Sequence, residues 1–178
     1  MGISVILLAY KEEENLKILL PKIKHQLENI GERYEIIVVD TKIPTDKTAD
    51  ICEENSVKYI NQEEPHFAGA FRTGIKYALM DKFLILDSDG SHDPQYIPQI
   101  YYRFIKGNDV VIGSRYTKGG QTSDAKSSIL MSKILNNVFR ICLGIDAKDI
   151  STDFRMYHTM QLKGLDLECE NYDVLQEV

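Results

Sequence analysis

Phe83-Leu84-Ile85-Leu86-Asp87-Ser88-Asp89-Gly90-Ser91-His92-Asp93-Pro94 is the stretch on which the reading of this chain turns. Its four leading apolar residues, Phe83 to Leu86, read as a strand buried on both faces. The strand ends abruptly in Asp87-Ser88-Asp89. In an extended chain the side chains at i and i+2 point the same way, so Asp87 and Asp89 present their carboxylates to one side with Ser88 turned away. Gly90 lets the chain bend, and Asp93-Pro94 has the form of a helix N-cap followed by proline at the first helical position. Two carboxylates ~4 Å apart at a partly shielded site repel by ~4 kcal/mol. A divalent cation removes that repulsion, and a carboxylate pair with open coordination positions suits Mg²⁺ or Mn²⁺ shared with a substrate diphosphate. The plain alternative is two solvated aspartates in a polar turn. Their place at the C-terminal end of a buried strand favours a ligand site, because open α/β sheets bind ligands there.

The flanking sequence repeats the pattern. Ile3–Ala9, Tyr34–Asp40, Val57–Ile60 and Asp109–Gly113 are short apolar runs that read as strands. Between them, Leu16, Leu19, Leu20, Ile23 and Leu27 fall at helical spacing before a stop at Gly31, with Pro21 inside the pattern. Thr45–Asn55 reads as a helix capped by Thr45 or Asp46. Glu63–Phe67 reads as a loop, and Ala68–Met80 as a helix with small residues where close packing is wanted. Tyr96–Lys106 is a further helix. Thr117–Lys126 is a polar loop, Ser127–Leu143 an amphipathic helix, and Asp149–Tyr157 an extended segment. Alternating strands and helices predict an α/β fold with a mostly parallel central sheet and helices on both faces. In such a sheet Asp40, Asp87, Asp89 and Arg115, each just past a strand, line one edge.

Bulk properties bound the function. A chain of 178 residues is one domain by the usual ~100–200 residues each. With 43% hydrophobic and 27% charged residues it is ordinary globular sequence. A net charge of −6 argues against sequence-independent nucleic-acid binding, which needs clustered Lys and Arg. Cys52, Cys142 and Cys169 are far apart and lack metal-ligand spacing, so they read as reduced thiols in a cytoplasmic protein. No apolar run approaches the ~18 residues of a membrane span, and Met1 leads straight into a strand.

These motifs, in this order, resemble the family 2 glycosyltransferases of GT-A fold, and within them the dolichyl-phosphate mannose synthase-like group. The matching pieces are Ala9–Asn15, Ile36–Asp40, Ala70–Gly74, Leu86–Pro94, Val110–Tyr116 and Asp149–Arg155, spread over nearly the whole chain. The resemblance implies a Rossmann-like GT-A catalytic domain over residues 1–178, without the C-terminal helices usual in the group. It implies an inverting, metal-dependent hexosyltransferase that uses a GDP- or UDP-linked sugar and Mg²⁺ or Mn²⁺. Tyr10, Glu12 and Asp40 match positions that hold the nucleotide, with Ser88 and Arg72 also on the sugar-donor side. Asp87 and Asp89 match the metal-binding pair, and Arg115 the cation facing the phosphates. Asp149, Ser151 and Arg155 match the late motif near the acceptor, where Lys118 is a nearby cation; Asp149 or Asp153 would serve as base for a hydroxyl acceptor. Asp40 is followed by Thr41 where a second acid is usual, and Asp153 stands at the usual glycine of the late motif. The implied acceptor is a polyprenyl phosphate or a glycan hydroxyl, with peripheral contact at the inner face of a membrane. Two other readings stay open. One is a non-catalytic nucleotide-sugar-binding or assembly module. The other is a nucleotidyltransferase of similar fold, although the acidic, glycine-free Tyr10–Asn15 loop differs from its usual basic, Gly-rich phosphate loop.

Overall fold

A computed structural model describes residues 1–114, 149 and 152–178. Its sheet has six strands: β1 (Gly2–Ala9), β2 (Arg33–Asp40), β3 (Lys58–Asn61), β4 (Lys82–Asp87), β5 (Val110–Ile112) and β6 (Arg155–His158), in the order β3-β2-β1-β4-β6-β5. The first four run parallel, in register Leu8↔Asp87, Ala9↔Asp40 and Asp40↔Asn61 at their C-terminal ends. β6 is antiparallel to both β4 and β5 and lies between them. The α/β class, the mostly parallel sheet and the expected extended segment near residue 155 all hold. The insertion of a reversed strand between β4 and β5 is not visible in the apolar pattern.

Both faces of the sheet are covered. On one, α1 (Glu13–Ile30), α2 (Thr48–Glu54) and α4 (Ile97–Phe104) pack Leu16, Leu20, Ile23, Ile51, Ile100 and Phe104 against Val5, Leu7, Val38 and Leu84. On the other, α3 (His66–Tyr77), α5 (Thr159–Lys163) and α6 (Val174–Glu177) set Phe71, Ile75, Leu162 and Val174 against Ile6, Ile37, Phe83 and Ile85. The central strands β1 and β4 are buried on both sides, as parallel strands under two helical layers must be.

Local signals explain most element ends. Gly31 closes α1 in the left-handed conformation, φ 77°, which costs glycine no Cβ clash. Asp46 accepts the backbone N–H of Thr48 at the head of α2 and that of Glu13 at the head of α1, so one carboxylate serves two helix starts. Asp93 accepts from the N–H of Gln95, and Pro94 opens a single 3-10 turn that runs into α4. α3 departs from expectation. It starts at His66, inside the expected loop, because extended Pro65 sets its N-cap, and it ends at Tyr77 where Ala78 turns extended. Cys52 and Cys169 are free thiols; Cys142, the Thr117–Lys126 loop and the Ser127–Leu143 helix lie outside the described residues. Among the described residues no helix is long and apolar enough to cross a membrane.

The small residues of α3 do the packing expected of them. A Cβ on Gly74 would stand 2.6 Å from Cγ2 of Ile6, a fully buried side chain with no room to withdraw. Gly74→Val is therefore expected to destabilise the fold by about 1–3 kcal/mol, read as a lower urea midpoint. An unchanged midpoint would contradict this close approach of α3 to β1.

Candidate active site

The parallel strands deliver their C-terminal residues to one edge of the sheet. Ala9, Asp40, Asn61 and Asp87 lie side by side there through the register of β1 to β4. β6 runs the other way, so it is the start of β6, not its end, that reaches this edge. Its register with β4 pairs Ile85 with Arg155. Two residues further along, Asp153 comes opposite Asp87. The late motif thus meets the Asp87–Asp89 turn because one strand is reversed.

The meeting point is built from side chains. Nδ1 of His92 accepts the backbone N–H of Asp87 at 3.0 Å, and Nε2 lies 3.1 Å from the hydroxyl of Thr152. The imidazole stacks on the ring of Phe154, centroids 5.1 Å apart. From Nδ1 it is 3.5 Å to Oδ2 of Asp87 and 3.6 Å to Oδ1 of Asp153. Ligand atoms of Asp87, His92 and Asp153 all fall within 4.8 Å of one another. Burial, and next the adjoining Asp87 carboxylate, push the Asp153 carboxyl well above the usual range. Carboxylates with at most one imidazole are a ligand set that fits Mg²⁺ or Mn²⁺.

Asp89 sits one step further out. It is exposed, and its Oδ1 accepts the N–H of Ser91, whose hydroxyl donates to Oδ2 of Asp87 at 3.2 Å. Ser88 is turned inward, as the alternation requires, and donates to the carbonyl of Leu8 at 2.6 Å. It pins the turn to β1 and offers the crevice no free hydroxyl.

On the far side of β1, Asp40 is 1% exposed and its carboxylate is engaged within the chain. Oδ1 accepts from the backbone and hydroxyl of Thr41, and Oδ2 from the hydroxyl of Tyr59 at 2.9 Å. Asn61 donates to Tyr59 and to the carbonyl of Thr41. Burial, then the bond to Asp40, push the Tyr59 hydroxyl up to about 12. Tyr10, 60% exposed, stands over the same edge with Lys11 5.3 Å from its ring. Glu12 accepts from Asn15 at 2.7 Å. Lys11 between them has φ 62°, a left-handed conformation uncommon for a residue with a Cβ, and turns the chain sharply off β1.

Two expected arginines are bonded within the chain. Arg72 binds Glu64 through Nε at 2.8 Å and the carbonyl of Cys169 through Nη1 at 2.7 Å, tying α3 to the C-terminal segment. Arg155 is 2% exposed, with Nε on the carbonyl of Thr152 and Nη1 on that of Leu175, both at 2.6 Å. It fixes the late motif from beneath. Asp149 is fully buried. Arg115, Lys118 and Ser151 lie outside the described residues. His92 and Asp153 are the residues the motif pattern undervalued; the departure from glycine at Asp153 was the one signal that pointed there.

Comparison with known proteins gives this edge a context. A dolichol-phosphate mannosyltransferase of Pyrococcus furiosus is 32% identical over 191 aligned residues, covering 100% of this chain and 52% of that protein. An undecaprenyl-phosphate mannosyltransferase of Micrococcus luteus is 28% identical, covering 94% of this chain and 71% of that protein. The chain thus spans about half the length of the archaeal relative. Among solved structures, the glucosyl-3-phosphoglycerate synthase of Mycobacterium tuberculosis, in complex with Mn²⁺, UDP-glucose and phosphoglyceric acid, shares the fold. Its TM-score is 0.76 at 18% identity, over 98% of this chain and 62% of that one. The model of glycosyl transferase family 2 matches residues 4–165, a span that takes in most of β1 and all of β2 to β6, and the chain belongs to that family.

Proposed function

We propose that this chain is a catalytic domain that moves a sugar from a GDP- or UDP-linked donor to an acceptor, of which a polyprenyl phosphate is the class best supported. The observation that carries the reading is the strand-end cluster, in which Asp87 meets His92 and Asp153 beside the exposed Asp89. Family membership, and the polyprenyl-phosphate mannosyltransferases among the relatives, support the reaction class and the acceptor. The Mn²⁺ and UDP-glucose held by the mycobacterial neighbour on the same fold support the cofactor.

Asp87 and Asp89 would hold the divalent cation. When bound, it offsets negative charge on the sugar donor's diphosphate. Asp40, locked by Thr41 and Tyr59, acts as a positioning residue that fixes the rim where the base would rest. Tyr10, exposed over the same rim, offers a ring to stack on the base. His92 holds the Asp87 backbone against the late motif. An acceptor oxygen attacks the anomeric carbon as the bond to the diphosphate oxygen breaks. The leaving nucleoside diphosphate takes the electron pair, and a single displacement inverts the centre. An acceptor phosphate is already ionised at neutral pH and needs no strong base, which suits a crevice whose inner acid, Asp153, is buried. Arg115 would face the phosphates, and Lys118 and Ser151 the acceptor. Contact with the surface of a membrane would follow from a lipid-borne acceptor.

Isothermal titration with UDP- and GDP-sugars, with and without Mn²⁺, tests the reading. Asp89→Ala is expected to weaken Mn²⁺-dependent binding by at least about tenfold, the order of effect usual for groups around a metal. Unchanged metal-dependent binding would refute the assignment. Tyr59→Phe removes a hydrogen bond to a buried carboxylate. It is expected to lower the unfolding free energy by about 1–3 kcal/mol and to weaken binding of the sugar donor, with metal affinity retained. Unaltered stability and binding would contradict the role given to Asp40.

A further inference from the structure

We propose that the side-chain carbonyl of Asn61, at the end of β3, is the group that reads the nucleotide base, by accepting the ring N–H that uracil and guanine carry and that cytosine and adenine lack. The inference rests on the sugar-donor-site reading above and deepens it. It gives to Asn61 the base contact that the sequence motif assigns to Asp40.

Asp40 is badly placed for that contact. Its carboxylate is sealed in the sheet edge, and its two oxygens take hydrogen bonds from the N–H and hydroxyl of Thr41 and from the hydroxyl of Tyr59. The donors around it are spent as well. The Thr41 hydroxyl is shared between Asp40 and the carbonyl of Ile43, and the N–H of Gln62 goes to the carbonyl of Asp40. Asn61 stands beside Asp40 in the β2–β3 register, on the same face of the sheet.

The partners of Asn61 fix the way its amide points. The Thr41 carbonyl can only accept. The Tyr59 hydroxyl has given its hydrogen to Asp40, so toward Asn61 it accepts too. The amide nitrogen therefore faces both, 2.8 Å from the Thr41 oxygen and 3.0 Å from the Tyr59 oxygen, and both of its hydrogens are used. Oδ1 is left on the other side of the amide, and among the described residues nothing donates to it. Nor is it sealed from solvent, unlike the orphaned hydroxyls of Thr48 and Thr159. An accessible acceptor held in place by two hydrogen bonds is the kind of polar group that fixes a ligand's orientation in a pocket. β3 lies two strand spacings from β1, roughly 10 Å, a span that a base and one hydrogen bond cover. At such an edge uracil and guanine present an N–H. Cytosine and adenine present a lone pair, which leaves Oδ1 without a donor.

Isothermal titration in Mn²⁺ with UDP against CDP, and with GDP against ADP, reads the base contact. The wild type is expected to prefer UDP or GDP over its partner. In Asn61→Ala that preference shrinks by about two- to tenfold, the worth of one neutral hydrogen bond, through weaker binding of UDP or GDP. A purely structural role lowers both members of a pair together and leaves their ratio where it was. That outcome, or a wild type without the preference in either pair, would overturn the proposal. The wild-type comparison needs no variant, so it holds even if circular dichroism shows Asn61→Ala unfolded. Asn61→Asp keeps an acceptor at the same place and is expected to retain the preference; a ratio as low as that of Asn61→Ala would count against Oδ1. Mn²⁺-dependent binding of UDP or GDP without base selection removes only the role of Asn61. Absence of Mn²⁺-dependent binding for all four nucleotides removes the sugar-donor-site reading itself.

Discussion

Everything at the crevice depends on one reversed strand. Parallel strands bring only their C-terminal ends to the ligand-binding edge of an α/β sheet, and each such end contributes the few residues that follow it. β6 is antiparallel and sits between β4 and β5, so the residues that precede it arrive at the same edge. That geometry lets a segment more than sixty residues further along the chain face the Asp87–Asp89 turn. Without the reversal, Thr152 and Asp153 would lie at the opposite end of the sheet from His92. The hydrogen bond from the His92–Thr152 pair and the stacking of His92 on Phe154 are the lateral ties that keep the two segments together.

The electrostatics follow from that placement. Lone carboxylates at the ends of buried strands are tolerable where they are solvated, as Asp89 is, or satisfied by the chain, as Asp40 is through Thr41 and Tyr59. Asp153 is buried and faces Asp87, and burial, then that neighbouring carboxylate, hold its carboxyl well above the usual range. Groups shifted in this way cluster at functional sites. The arginines play the opposite part. Arg72 and Arg155 are bonded to backbone carbonyls of the C-terminal segment and the late motif, where a planar guanidinium can serve several acceptors at once. These bonds tie the edge to the C-terminal segment.

The sequence made much of this legible, and the limits are physical. Buried strands announce themselves as short apolar runs, and Gly31, Asp46 and Asp93-Pro94 mark helix ends by mechanisms that need no tertiary context. Residues at strand ends can therefore be named in advance, which is why Asp40, Asp87 and Asp89 were visible. Strand direction and order are not local properties. Arg155-Met156-Tyr157-His158 gives no sign that it runs antiparallel, so the partnership of Asp87 with Asp153 could not be read from spacing. The bonds of Arg72 and Arg155 were hidden for a related reason: an arginine in a motif looks the same whether its acceptor is a phosphate or a carbonyl of its own chain. The start of α3 at His66 was hidden because its N-cap is set by the conformation of Pro65, with no side-chain cap to betray it.

The central claim is that acids at the ends of β4 and its neighbours hold a cation against a sugar-nucleotide diphosphate. The most direct measurement is a crystal grown with Mn²⁺ and a nucleoside diphosphate, with diffraction recorded at the manganese absorption edge. The account predicts an anomalous peak within bonding distance of the Asp87 carboxylate and of a diphosphate oxygen. An ordered nucleotide with no such peak at Asp87, or a peak bound elsewhere on the surface, would contradict it.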